Sequence, residues 1–249
     1  MKFIILKIEY DGTDYSGWQL QHNAKTVQGE IEKGLYKLTG RKLSIVGSGR
    51  TDSGVHASNQ IAHLQIDDIP VPENKFSKAL NTYLPKDIRI KKTVFTCQDF
   101  HSRFDAVERG YNYILRTRYS VFHRRFEAFI KYGLDIEKLF KSADIFKGKH
   151  DFTSFSKYNP EQKNHICNIF ETKWEQKSEN SFIYTVKADH FLYGMVRSLV
   201  GAMIDAARGK RTFENIKQAL EKRDRVLNSP LAPPEGLVLS NVIYKNKII

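Results

Sequence analysis

The nine residues Gly49-Arg50-Thr51-Asp52-Ser53-Gly54-Val55-His56-Ala57 gather a carboxylate, a guanidinium, two hydroxyls and an imidazole into one short stretch. Glycines at 49 and 54 permit tight turns and close approach of backbone to a ligand. As a reacting group, Asp52 would serve as a nucleophile or as a proton-abstracting carboxylate. Taken alone, a loop Asp is ordinarily a turn or cap residue, because its side chain bonds nearby backbone so readily. His56 reads as a general base, a metal ligand or a structural histidine, and the lack of an H-x-x-x-H or H-x-H partner favours the last. Paired Asp/Glu metal ligands of the kind a hydrolytic nuclease uses are not evident beside Asp52.

Three further groups have residue types suited to a site. The string from Tyr10 to Gln19 mixes turn formers with aromatics. It reads either as an ordinary loop around a half-buried Trp18 or as a loop whose aromatics and amides meet splayed nucleotides. Tyr111 and Tyr113 lie two apart on an extended pattern and so share one face, an arrangement more usual in core packing. Between 190 and 208, Leu192, Met195, Val196, Leu199, Val200, Met203, Ile204 and Ala207 keep a helical register. Arg197 falls at the flank of that stripe, where it either snorkels or leans into a cleft.

The elements that must position these groups follow from periodicity. Residues 2–10 alternate and predict a strand. From Thr26, a suitable N-cap, Val27, Ile31, Leu35 and Leu38 predict a helix that ends at Gly40. Strands are predicted over 43–47 and 59–66, joined by the loop 49–57, followed by a helix from Pro72 to Leu84 and a strand over 88–96. This β-α-β-β-α-β order matches the ferredoxin-like split βαβ unit, in which helices cover one sheet face and leave the other for a ligand. After about residue 104 a similar order restarts, with strand 110–118, helix 135–145, strands near 166–175 and 181–189, helices 191–208 and 212–222, and strand 237–244. The expected fold is α/β of the α+β type, in two ferredoxin-like halves spanning 1–104 and 105–249 with antiparallel sheets.

Composition narrows the partners. The 249 residues carry 40 Lys+Arg against 28 Asp+Glu, a net +12, and are 41% hydrophobic, so the chain can bury a core yet favours a phosphate-rich partner. The excess is +4 in 1–104 and +8 in 105–249, so no basic tail accounts for it. Cys97 and Cys167 are far apart and lack metal-ligand spacing, which argues against a disulfide scaffold or a zinc site and suggests a reduced, cytoplasmic setting. No apolar run approaches the roughly 20 residues that span a bilayer, and the first strand starts without a signal-peptide pattern, so a soluble, unexported protein is expected.

Taken in order, YDGTDYSGWQLQ at 10–21, KTVQGEIE at 25–32, GRTDSGVHA at 49–57, FHSRFDA at 100–106, HDFTSFS at 150–156, FLYGMVRSLVG at 191–201 and APPEGLVLSNVIY at 232–244 resemble the blocks of the TruA family of tRNA pseudouridine synthases. GRTDSGVHA is the specific one. The resemblance implies two ferredoxin-like halves flanking a central RNA-binding cleft, a homodimer, and isomerisation of uridine at positions 38, 39 and 40 of the tRNA anticodon stem-loop without cofactor or metal. It makes Asp52 the catalytic carboxylate, Tyr111 the tyrosine beside the target uracil and Arg197 the basic partner of the carboxylate, with Arg50 and His56 in the same substrate-binding loop. The family commonly has Lys or Arg where this chain has Gly110, and often Arg where it has Cys167; both departures can remove an RNA contact. The rival reading from another class is a catalytically silent RNA-binding module, which would not need GRTDSGVHA and would be expected to show an RNP1 pattern that is absent here.

Overall fold

Alternation puts Ile4, Leu6 and Ile8 on one face of the first strand, and in the computed structural model all three are fully buried. The structure describes residues 2–160, 162–225 and 229–246. Its elements are β1 (Lys2–Tyr10), α1 (Val27–Thr39), β2 (Val46–Gly47), β3 (His56–Ile66), α2 (Glu73–Asn81), β4 (Ile88–Thr96), β5 (Ala106–Arg116), β6 (Ala128–Phe129), α3 (Ile136–Ser142), β7 (Gly148–Asp151), β8 (Ile166–Ser178), β9 (Ser181–Ala188), α4 (Met195–Ala207), α5 (Phe213–Lys222) and β10 (Leu237–Tyr244), with short 3-10 turns between some of them. The fold is therefore mixed α/β. Two compact units are present, Met1–Val107 with Val238–Ile249, and Glu108–Leu237.

In the first unit the strand order is β4-β1-β3-β10. β1 is antiparallel to both β3 and β4, whereas β10 runs parallel to β3 through Val238 opposite His56 and Leu239 opposite Ala57. The helix α1 starts where expected, with the Thr26 hydroxyl accepting from Gly29 N at 3.2 Å. The strand expected over 43–47 shortens to β2, because side chains of α1 take the backbone of Ile45: Glu32 accepts its N–H at 3.0 Å and Gln28 donates to its carbonyl at 3.2 Å. β10 lies with the first unit, although a division at 104/105 counts it with the second half. Its alternating sequence predicts a strand but carries no information about a distant partner.

The second face of this sheet is not left free as the sequence pattern implies. Ile5 stands opposite His63, and Phe3, Ile5 and His63 are all buried. Phe100 packs edge-on against the His63 ring at 5.9 Å, and Ser102 N donates to His63 Nδ1 at 3.1 Å. Burial, reinforced by the neighbouring His101, pushes His63 down from 6.5 to about 4. The folded state therefore holds neutral imidazole while the unfolded chain takes up a proton near pH 6.5. The stability this provides is present above pH 6.5 and is lost as the pH falls to about 4. Urea unfolding across that range is expected to show a shallower pH dependence for His63→Gln than for the unchanged chain. Parallel curves would mean that His63 titrates alike in both states.

The second unit has the order β5-β9-β8-β7, with β5, β9 and β8 antiparallel in turn. The apolar register of α4 is its core: Leu199, Val200 and Met203 are fully buried. This helix begins at Met195 rather than near 191 because Gly194 takes a left-handed φ of 70°, which leaves Phe191–Tyr193 outside the coil. Capping is reciprocal on α5, where the Thr212 hydroxyl accepts from Asn215 N and the Asn215 side chain accepts from Thr212 N, both at 3.1 Å.

Candidate active site

The loop carrying Asp52 leaves the short strand β2 and enters β3, and it is fixed from below by the segment 10–18. Trp18 N donates to Thr51 O at 3.1 Å, Gly54 N donates to Tyr15 O at 3.2 Å, and the Ser53 hydroxyl donates to the same carbonyl at 3.1 Å. The Tyr10 and Thr51 hydroxyls bond at 2.8 Å. Val55 N closes a turn onto Asp52 O at 3.2 Å. From the strand side, Gln60 holds the start of the loop, donating to Gly49 O at 3.0 Å and accepting from Ser48 Oγ at 2.6 Å.

Two glycines make this backbone-on-backbone contact possible. A Cβ at Gly12 would lie 2.0 Å from Val55 O, and one at Gly17, whose φ is +92°, would lie 2.6 Å from Thr51 O. The string 10–19 therefore cradles the Asp52 loop. Tyr10, Tyr15 and Trp18 are buried, and the Tyr15 hydroxyl donates to Asp87 at 2.6 Å. Burial and that carboxylate push its pKa upward.

Around this frame the three loop residues differ in what they can do. Asp52 is half-buried on a backbone held from below by the 10–18 segment. Arg50 is exposed and is steered by its Nε donating to Gln19 at 3.1 Å. His56 is only 1% exposed, its Nδ1 accepting from Gly12 N at 3.0 Å and lying 3.2 Å from Asp11 Oδ1. The structural reading of His56 fits this geometry: it fastens the cradle to the first residue of β3.

The remaining sequence-derived residues belong to the second unit. Tyr111 on β5 packs edge-on against Phe191 at 5.1 Å. Tyr113 is fully buried, donates to Pro233 O at 3.0 Å, and is pushed well above its usual pKa by burial and by Glu235. Arg197 does not snorkel loosely: its Nε donates to Ala232 O at 2.8 Å, and Ala232 N donates to its carbonyl at 3.0 Å. The 232–236 segment thus fixes both Tyr113 and Arg197.

These different surroundings separate the two tyrosines by experiment. Tyr113→Phe removes the bond to the part-buried Pro233 carbonyl and is expected to cost about 0.5–1.5 kcal/mol of stability with a modest loss of turnover. Tyr111→Phe is expected to lose turnover about tenfold or more with little change in stability, as fits a hydroxyl that works on the substrate. Thermal melts and single-turnover rates decide it, and equal rate losses would show that the register of the pair has been misassigned.

A cluster that sequence spacing does not suggest lies at the start of β8. Cys167 Sγ is 3.4 Å from His190 Nε2, and His190 Nδ1 is 3.0 Å from Asp189 Oδ1. Among the described residues these three are the group whose donor atoms come close enough to suggest a metal. Burial pushes the Cys167 thiol up to about 12, and Asp189 Oδ1 already accepts from the backbone N–H of Asn168 and His190, so the set reads as a hydrogen-bonded corner. Only the pairing of β8 with the turn after β9 brings them together. Gly110, the other departure, is buried on β5 opposite Lys187.

Comparison with known proteins bears on this arrangement. The profile of a family described as tRNA pseudouridine synthase matches residues 7–105 and 143–245. A protein of Bacteroides fragilis called tRNA pseudouridine synthase A is 36% identical over 97% of this chain and 96% of its own length. Proteins of the same name from Caldicellulosiruptor bescii and Listeria welshimeri are 39% and 40% identical, over 98% and 96% of this chain and 100% and 97% of their own lengths. The matched residues include the Asp52 loop and its cradle.

Proposed function

Because the chain belongs to the tRNA pseudouridine synthase family, we propose that it isomerises uridine to pseudouridine at positions 38, 39 and 40 of the tRNA anticodon stem-loop. Asp52 is the catalytic carboxylate in this reading. The observation that carries it is the Asp52 loop itself, a half-buried carboxylate on a backbone locked by the cradle at Thr51, Ser53 and Gly54.

The reaction breaks the N1–C1′ bond, turns the freed uracil and joins C5 to C1′. The C5 proton leaves and N1 gains one, so atoms and charge balance without any redox step. What the protein must supply is an ionised carboxylate, a wall that retains the detached base and a route for the C5 proton. Tyr111 is the wall in this reading, its ring stacking on uracil while its hydroxyl contacts the base or relays a proton. Arg197 is the basic partner of the Asp52 carboxylate in this reading. Arg50, exposed beside the loop, takes a phosphate or sugar of the target nucleotide. His56 is a positioning residue.

The target nucleotide must leave its stack, at a cost of a few kcal/mol, and the net +12 charge offsets this through phosphate contacts. No cofactor or metal enters the scheme. Two copies act together in the cytoplasm, as the resemblance implies; no described helix is long and apolar enough to cross a membrane. The test is release of tritium from tRNA labelled at uridine C5. Stoichiometric release into water supports the reading, and binding of the same tRNA without release would reduce the chain to an RNA-binding module.

A further inference from the structure

Phe104 is 75% exposed, yet it stands on a firmly held turn of the first unit. The anchor is Ser102, which is fully buried. Its N–H donates to His63 Nδ1 at 3.1 Å, its hydroxyl donates to Val46 O at 2.6 Å, and its carbonyl accepts from the Tyr244 hydroxyl at 2.7 Å. Next to it the turn closes on itself. His101 N donates to Asp105 Oδ2 at 2.7 Å, and Asp105 N donates to His101 O at 3.0 Å. His101 Nδ1 accepts from the N–H groups of Arg103 and Phe104 at 3.3 and 3.2 Å. The imidazole is thereby held flat against the Phe104 ring, with centroids 4.2 Å apart and planes 23° apart, and the Arg103 guanidinium lies 5.8 Å from the same ring.

An apolar ring kept in water on a turn with this many internal bonds is not an unfolded loop end. Its backing is an aromatic stack, its neighbour is cationic, and the chain as a whole is basic. Such a set suits a π-face joined to a phosphate, which is an unpaired nucleotide. We propose that Phe104, backed by His101, is a stacking platform for a base of the RNA substrate other than the reacting uridine, and so a positioning residue for the reaction. The Ser102 bond to Val46 ties the platform to β2, six residues before Asp52 and at most about 22 Å from it along the chain. Platform and carboxylate therefore serve the same region of one RNA. A second copy of the chain is the competing occupant, and the basic surroundings argue against it.

This inference rests on the proposed function, and the test keeps the two apart. Trp18 and Trp174, the only tryptophans, are both buried, so Phe104→Trp adds a single exposed reporter. With an unmodified tRNA transcript, its fluorescence is expected to be quenched well beyond that of the unchanged chain. Phe104→Ala is expected to weaken tRNA binding by about 5- to 150-fold, the range found for removal of a base-stacking aromatic, with saturated turnover changed much less. Phe104→Tyr and Phe104→Trp should restore binding, which a merely structural role would not require.

Binding by Phe104→Ala equal to that of the unchanged chain, or no quenching in Phe104→Trp, overturns the platform even where pseudouridine still forms. A change in sedimenting mass for Phe104→Ala with tRNA binding intact assigns the ring to a second copy and also overturns it. Quenching and the alanine defect in a protein that forms no pseudouridine would uphold the platform and remove the proposed reaction.

Discussion

Replacing Asp52 with Asn is expected to abolish uridine isomerisation while leaving tRNA affinity within about tenfold, because phosphate contacts supply most of the affinity. Asn keeps the size and hydrogen-bonding shape of the side chain and removes only its charge and basicity. The cradle bonds to this loop run through the backbone of Thr51 and Gly54 and the hydroxyls of Thr51 and Ser53, so the loop should keep its place. The melting temperature should stay close to that of the unchanged chain. A loss of about 10³-fold or more in single-turnover rate, with the fold and binding retained, is the signature of a group that touches the reacting atoms. Retention of a few per cent of turnover would remove Asp52 from the mechanism.

The second large effect is expected from Gly12→Ala, a methyl group added in a part of the first unit that holds no reacting residue. That methyl would sit 2.0 Å from Val55 O, a backbone atom that cannot swing aside, so either the cradle or the Asp52 loop must move. Overpacking of this kind costs about 1–3 kcal/mol or more. A displacement of about 1 Å at a catalytic group costs about 10²-fold in rate. Turnover should therefore fall about 10²-fold at temperatures where circular dichroism shows the variant folded, with tRNA affinity changing far less. Near-normal turnover in a folded Gly12→Ala protein would show that the position of the Asp52 loop does not depend on its cradle.

These expectations draw on features that were unevenly legible in the sequence. Strands β4 and β10 lie where their alternation places them, and α1 begins at its N-cap Thr26, because such signals are local. The residue types around Asp52 were visible as well, since glycines and a carboxylate in one loop need no tertiary context to be noticed. What 10–19 does was not visible. Its aromatics and amides are equally consistent with a nucleotide-contact loop, and long-range contacts such as that between Gly12 and Val55, 43 residues apart in the chain, show that it supports another loop. The same holds for His56, whose ring accepts from Gly12 N, and for the turn at Phe104, which is bonded to Val46, His63 and Tyr244. Arg197 is intermediate: its place on the flank of the α4 stripe could be read from helical periodicity, but its fastening to Ala232 could not.

The central claim is that this chain makes pseudouridine in the anticodon arm with Asp52. It is met most directly by incubating the purified protein and its Asp52→Asn variant with unmodified tRNA transcripts bearing uridine at 38, 39 or 40, then mapping pseudouridine along each RNA. Pseudouridine is expected at those positions with the unchanged chain, none elsewhere, and none at all with Asp52→Asn. Pseudouridine outside the anticodon arm, or equal yields from the two proteins, would contradict it.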